Sequence, residues 1–423
     1  MTSSSQITVK MKVEIRPSVL RGSVAAPPSK SHVHRLLIAA ALARGESRIT
    51  GAAESEDILA AARVLYAPHQ PVRLYAQYCL GALGASVSVA GNAFSVHGCG
   101  GAPHAGGDIL PCRESGSTLR FLIPVALAGG GGVFSGSERL IERGVGVYRD
   151  LLEPRGVSFA VGSGTVSAHG QLRAGDFEIP GGVSSQFISG MLFALPLVGG
   201  DSSITVIPPF ESRAYVDMTV AALKCAGVTV ERRGEREFFI PGGQEYRPIS
   251  AEAEGDWSQA AFLYALGDGV NVTGLDSESL QGDRVCLSLL RRIANGYTEA
   301  ELSDCPDLAP ALFAAAAISG HGAHFCGTRR LAIKESRRAD AMAEELAKFG
   351  ARLTVGDDSV DVAPGDIRTP DSVLSSHGDH RIVMALAACA VRVGGVIDGA
   401  EAVRKSYPAF FSDMAALGAD IRY

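Results

Sequence analysis

Aromatic side chains make up only 6% of this chain, with a single tryptophan, so the stacking platforms of single-stranded nucleic-acid binders are missing. The formal net charge is −6. No global positive field exists for nucleic acid or anionic lipid, and any anion site must be a local gathering of cations. The eight cysteines form no Cys-x-x-Cys pair and no Cys/His cluster. Cys225, Cys286 and Cys389 stand in apolar or helical contexts, and buried free thiols in a reducing compartment are expected. No uninterrupted apolar run reaches membrane-spanning length. The first residues, Met1-Thr2-Ser3-Ser4-Ser5-Gln6, hold no apolar signal core. The chain therefore reads as cytoplasmic, with neither nucleic acid nor membrane as partner.

What the chain does have is length, apolar content and an internal repeat. Its 423 residues, 46% of them hydrophobic, suit two domains of roughly 200 residues each. A helix end, a glycine, a short alternating strand, a turn and a return strand recur. Leu83-Gly84-Ala85-Ser86-Val87, Arg155-Gly156-Val157-Ser158-Phe159, Ala226-Gly227-Val228-Thr229-Val230, Phe349-Gly350-Ala351-Arg352-Leu353 and Leu417-Gly418-Ala419-Asp420-Ile421 are the copies. The glycine is the left-handed residue that stops the helix, and the alternation after it gives a half-buried strand. Gly84, Gly156 and Gly227 stand about 70 residues apart. A weaker copy is expected at Asn295-Gly296-Tyr297, which makes six units, three per domain. The last unit lacks a return strand, and residues 7–15 are expected to supply it. Residues 28–250 then form a first domain inserted into a second, made of residues 1–27 and 251–423. Residues 66–78 carry Pro68, Pro71 and three tyrosines and read as an insertion.

Several short motifs carry chemistry. Pro28-Ser29-Lys30-Ser31-His32-Val33-His34-Arg35 places two cations and hydroxyls just before an apolar helix read from Leu36. Helix N-termini attract anions, although a solvated basic helix start would look the same. Ser115-Gly116-Ser117-Thr118-Leu119-Arg120 precedes the apolar run 121–127. Its glycine lets a ligand approach the backbone, and its hydroxyls can cap a helix or bind oxyanions. Ser184-Ser185-Gln186 opens a further apolar helix and could read hydroxyls or phosphate oxygens or be a plain cap, and Glu211-Ser212-Arg213, after Pro208-Pro209, could add another hydroxyl and cation. Lys334-Glu335-Ser336-Arg337-Arg338, read as helix, puts Lys334 and Arg338 on one face, where like charges cost stability unless an anion lies between them. Asp379 of Gly378-Asp379-His380-Arg381 could cap a helix while Arg381 faces an anion. His380 has no second metal ligand at suitable spacing. Asp307 precedes an alanine-rich helix, and Lys405-Ser406-Tyr407-Pro408 adds a loop cation.

In this order the motifs resemble the enolpyruvyl transferase family, on its shikimate branch, over nearly the whole chain. The resemblance implies an α/β (α+β) fold of two inverse α/β prism domains, each of three βαβαββ-type repeats. It also implies transfer of the enolpyruvyl group of phosphoenolpyruvate to the 5-hydroxyl of shikimate 3-phosphate, by a monomer, with no metal or organic cofactor. Shikimate 3-phosphate would contact Lys30, Ser31, Arg35, Ser184, Ser185, Gln186, Ser212, Asp307 and Lys334. Phosphoenolpyruvate would contact Lys30, Gly116, Arg143, Gln186, Arg338, Arg381 and Lys405. Asp307 would take the hydroxyl proton and Glu335 would protonate the methylene carbon, with Lys30 as a third catalytic group. Glu114, Gly144, Ala214 and Arg337 depart from the commoner pattern. Two rivals remain. One is the branch acting on UDP-N-acetylglucosamine, which has Lys-Asn at Lys30-Ser31 and a mobile-loop cysteine not seen here. The other is a catalytically dead binding protein, which the retained Asp307, Glu335 and Lys30 oppose.

Overall fold

The computed structural model describes residues 11–51, 76–142 and 144–423. Most of the stretch 66–78, and Arg143, lie outside the described residues. The chain divides into two compact units. One comprises Pro28–Asp256 with Asp276–Gly282, and the other Met1–Pro27, Trp257–Leu275 and Asp283–Tyr423.

The unit that starts at Pro28 contains three four-stranded sheets of one design. Strand Ile109–Arg113 runs parallel to Gly131–Gly136 with helix Gly116–Ala128 between them, and the hairpin Ser158–Gly162/Thr165–His169 adds two antiparallel strands. Helix Gly146–Leu152 precedes the hairpin, which gives the βαβαββ order. The sheet Asp176–Pro180, Ser202–Ile207, Glu237–Ile240, Glu231–Arg233 repeats it. The third sheet joins the two ends of the unit, because Ser250–Glu252 from its end pairs in parallel with Glu46–Thr50 from its beginning.

The other unit repeats the plan with one reduction. Thr298–Glu301, Ala323–Cys326, Ser359–Val362 and Leu353–Val355 form one full sheet. In another, Lys12–Ile15 lies between Gly395–Asp398 and Ile421–Arg422, so the N-terminal strand completes the unit that the end of the chain leaves short. The third is only the parallel pair Gly22–Ala25/Val270–Thr273. The weak copy at Asn295-Gly296-Tyr297 explains the reduction. Gly296 is extended rather than left-handed, and the strand after it, Thr298–Glu301, joins the next sheet. Gly84, Gly156, Gly227, Gly350 and Gly418 do have positive φ, as the helix stop requires.

Helices that are apolar all round sit inside these units. Gly116–Ala128 and Ser185–Ala194 are buried over most of their length in one, and Ala309–Ser319 and His380–Val393 in the other. Gly190 is required where the first two cross, since a Cβ there would overlap the Arg120 carbonyl and the Tyr148 hydroxyl. Two expectations about thiols change. Cys225 is exposed, and Cys99 and Cys326 are only partly covered, while Cys79, Cys112, Cys286, Cys305 and Cys389 are buried. Cys326 and His324 also touch, which their alternate positions on one strand allow and a search for sequence clusters missed.

Candidate active site

In the unit beginning at Pro28, four helices bring their N-terminal turns together. The first is Lys30–Leu42, capped by Ser29, whose hydroxyl accepts from His32 N at 3.4 Å. It starts at Lys30 rather than Leu36. The cap and the preceding proline set that start, and they place Lys30, Ser31 and Arg35 in its first two turns. Lys30 N donates to Asp256 Oδ2 at 3.3 Å. Arg35 is buried over the rings of Phe121 and Tyr215, and donates to the Ser31 carbonyl at 2.7 Å and to Thr219 Oγ1 at 2.8 Å. Burial lowers its guanidinium to about 10, which still leaves it charged at neutral pH. Buried His34 is driven down to about 3, first by desolvation and then by Arg35 and Lys30, so it adds no charge.

Thr219 lies in helix Arg213–Cys225 and also bonds Ser189 Oγ at 2.8 Å, in helix Ser185–Ala194. The first turn of that helix is tied in turn to Gly116–Ala128, because Arg120 donates to Gln186 Oε1 at 2.8 Å. Ser115 and Ser184 cap these two helices, accepting from Thr118 N and Gln186 N. Gly116 is the first residue of its helix, and Ser185 is buried beside the Ser184 cap. Ser212 precedes its helix with φ 53°. One end of the unit thus carries the N-termini of several helices, with Lys30, Arg35 and Arg120 among serine hydroxyls. Dipoles, N–H groups and cations there share one sign.

The other unit builds a denser cluster. Asp307, in the short turn Pro306–Leu308, receives Lys334 Nζ at 3.2 Å and Arg338 Nη1 at 2.8 Å on Oδ1, and Arg381 Nη2 at 3.1 Å on Oδ2. Arg381 also donates to the Asp307 carbonyl and to Ser258 Oγ, both at 3.0 Å. Burial alone would raise the Asp307 carboxyl, but Arg381, Lys334 and Arg338 outweigh it and hold it well below the usual range. Arg338 reaches Glu335 Oε2 at 2.6 Å and Asp379 Oδ2 at 2.9 Å. Desolvation pulls this guanidinium down, yet Asp379, Glu335 and Asp307 more than offset it. Lys334 falls to about 8, mainly through burial, with Arg330 and Arg338 acting in the same sense and Asp307 opposing. Lys405 Nζ donates to the Gly378 carbonyl at 2.9 Å, next to the Asp379 cap of helix His380–Val393.

Lys334 and Arg338 do not share a helical face. The short helix Arg329–Ile333 ends before Lys334, and the next helix opens at Arg338. Residues 334–337 bend instead, and the anion that lies between the two cations is Asp307. Sequence reasoning took Asp379 for a helix cap, which it is. It missed that the same carboxylate also accepts from Arg338 and Ser336. It also missed Ser258 and Thr219, which carry no motif.

A model of the family described as EPSP synthase (3-phosphoshikimate 1-carboxyvinyltransferase) matches residues 15–414. A protein named 3-phosphoshikimate 1-carboxyvinyltransferase from Clostridium kluyveri is 39% identical over 433 residues, covering 97% of this chain and 98% of its own. One of the same name from Clostridium perfringens is 36% identical, covering 96% and 98%. Among solved structures, EPSP synthase from Acinetobacter baumannii superposes with a TM-score of 0.76 at 22% identity, covering 98% of this chain and all of its own (100%). The enolpyruvyl transferase NikO from Streptomyces tendae gives 0.73 at 17% identity, covering 97% and 98%. The two structures share the two-unit α/β fold, and the family match and the sequence relatives go further: this chain belongs to the EPSP synthase family.

Proposed function

We propose that the chain transfers the enolpyruvyl group of phosphoenolpyruvate to the 5-hydroxyl of shikimate 3-phosphate, as the names of its relatives indicate. The hydroxyl oxygen attacks C2 of phosphoenolpyruvate while C3 gains a proton. The tetrahedral intermediate then loses phosphate and a methyl proton, which leaves an enolpyruvyl ether. The observation that carries this reading is the Asp307 carboxylate held among Lys334, Arg338 and Arg381. In the resting chain it supplies the negative charge those cations need. Incoming phosphate and carboxylate groups compete for them, and a carboxylate released from its cations becomes basic enough to take the hydroxyl proton. Glu335, held by Arg338, is assigned the proton that goes to C3 and returns from the methyl group. The cations then stabilise phosphate as it leaves.

The remaining assignments follow the same division. Lys30, Ser31, Arg35, Ser184, Ser185, Gln186 and Ser212 serve shikimate 3-phosphate, together with Lys334. Arg35 acts in part by fixing the Ser31 turn, since Nη1 donates to the Ser31 carbonyl while Nε is committed to Thr219. Gly116, Arg143, Gln186, Arg338, Arg381 and Lys405 serve phosphoenolpyruvate, with Lys30 shared. A place in the cytoplasm is supported by eight free cysteines, and no described helix is long and apolar enough to cross a membrane.

Phosphate release with shikimate 3-phosphate and phosphoenolpyruvate is the test. Release with this acceptor and not with UDP-N-acetylglucosamine is expected. The reverse pattern would move the chain to the other branch, and no release with either would make it a binding protein. A pH profile adds a second check. Lys334 loses its proton near 8 in the free protein, so kcat/KM should fall as pH rises through that region. A bound phosphate favours the charged form, so the fall in kcat should come at higher pH. Lys334→Arg keeps its charge throughout and should remove the alkaline fall in kcat/KM. An unchanged profile in that variant would take Lys334 out of substrate binding.

A further inference from the structure

Three helices of the unit that starts at Pro28 carry the serines assigned to shikimate 3-phosphate, and one buried hydroxyl joins all three. Helix Lys30–Leu42 has Ser31 in its first turn, helix Ser185–Ala194 opens with Ser185 and Gln186, and helix Arg213–Cys225 follows Ser212. Thr219 lies two turns into the last of these and is fully buried. Its Oγ1 accepts from Arg35 Nε, in the first helix, at 2.8 Å. Its hydrogen is shared between Ser189 Oγ, in the second helix, at 2.8 Å and the Tyr215 carbonyl of its own helix at 3.0 Å. Ser189 is also fully buried, one turn on from Ser185.

A hydroxyl has one hydrogen and two lone pairs. Both oxygens that can take the Thr219 hydrogen belong to other partners, so a lone pair stays on the Arg35 side. The guanidinium is held elsewhere as well. It lies over the rings of Phe121 and Tyr215, 5.2 and 5.7 Å from their centres, and its Nη1 donates to the Ser31 carbonyl at 2.7 Å. Arg35 is thus tied to its own first turn through one nitrogen and to a second helix through another. Nη2 has no partner among the described residues, which leaves it as the donor for a substrate anion. Any rotation of the guanidinium that moved Nη2 would break the bond to Thr219 or the bond to Ser31.

We propose that Thr219 is a positioning residue for shikimate 3-phosphate: its hydroxyl fixes the Arg35 guanidinium with Nη2 presented to the substrate, and it ties together three helices whose first turns bind that substrate. The assignment rests on the reading of Ser31 and Arg35 as groups that serve shikimate 3-phosphate. Thr219 bonds none of the groups assigned to proton transfer, so its contribution is to affinity. Without the hydroxyl, the buried Nε loses its acceptor and the guanidinium has more than one resting position. Binding then has to restore the one that fits, and that ordering is subtracted from the affinity.

The test is calorimetric titration of the full chain with shikimate 3-phosphate, beside steady-state kinetics and denaturant melts. Thr219→Val keeps the side-chain shape and removes the acceptor, and should weaken shikimate 3-phosphate by about 10–100-fold, the worth of one bond to a charged group. Both kcat and the KM for phosphoenolpyruvate, measured at saturating shikimate 3-phosphate, should stay near the wild-type values, since the lost interaction serves binding alone. Thr219→Ser keeps the hydroxyl and loses a buried methyl, so it should be less stable than wild type yet bind like it. A threonine that acted only through stability would make affinity follow the denaturant midpoints of the two variants. If the valine variant does not fold, Thr219→Ala carries the same expectation against Thr219→Ser. Wild-type affinity in Thr219→Val, or a serine variant as weak as the valine one, would overturn this assignment alone. A wild type that binds no shikimate 3-phosphate would overturn the functional reading and this assignment with it.

Discussion

Glu335→Gln is expected to lower kcat by about 10²–10⁴-fold, the usual worth of a positioned general acid or base, while both substrate affinities stay within a few-fold. The geometry explains why this substitution is so selective. Arg338 Nη2 donates to Glu335 Oε2 at 2.6 Å, and the glutamine carbonyl oxygen can accept the same bond. Arg338 keeps Asp307 and Asp379 as partners, so the cation stays in place. What the amide cannot do is carry a proton to C3 and take one back. Steady-state turnover together with calorimetric titration of each substrate separates the two effects. Unchanged turnover would remove Glu335 from proton transfer, whereas lost affinity would make it a binding group.

The second large effect is on stability. Asp379→Ala should destabilise the fold by about 3–5 kcal/mol, the range for removing one member of a buried ion pair. Asp379 is fully buried and accepts from Arg338 Nε at 2.9 Å, Ser336 Oγ at 3.0 Å and its own helix at Arg381 N, 2.9 Å. Its removal strips an N-cap and leaves Arg338, 1% exposed, with fewer counter-charges. Burial would raise this carboxyl, but Arg338 outweighs that and lowers it. Its stabilisation is therefore complete above the ordinary carboxylate pKa and is lost as pH falls through the depressed folded value. The variant should also lose the acid-side dependence of stability that Asp379 provides. Denaturant melts at neutral and acid pH measure both. A loss below about 1 kcal/mol, the ordinary effect of a point substitution, would show that Arg338 is held by Asp307 and Glu335 alone.

Contiguous features were legible in the sequence. The helix-stop glycines gave the repeat because left-handed geometry has a residue signature. The serines that precede apolar helices gave the caps, and Ser29, Ser115 and Ser184 do cap. Contacts between distant segments were not legible. Asp307 draws its three cations from positions 334, 338 and 381, and nothing in their spacing says that they converge. The supposed helical face of Lys334 and Arg338 failed because one helix ends at Ile333 and the next opens only at Arg338, and the two cations meet instead on the distant Asp307 carboxylate. His324 and Cys326 looked isolated because the residue that orients them, Asp361, is their neighbour across a sheet.

The central claim is that this chain adds an acceptor hydroxyl across the double bond of phosphoenolpyruvate and then eliminates phosphate. The most direct measurement is to run the reaction in deuterated water and examine the methylene carbon of the enolpyruvyl product by NMR. Deuterium should enter that carbon as phosphate is released, because C3 passes through a methyl group, and Glu335→Gln should slow both together. Phosphate release with no deuterium at that carbon would contradict addition and elimination, and with it the roles given to Glu335 and Asp307.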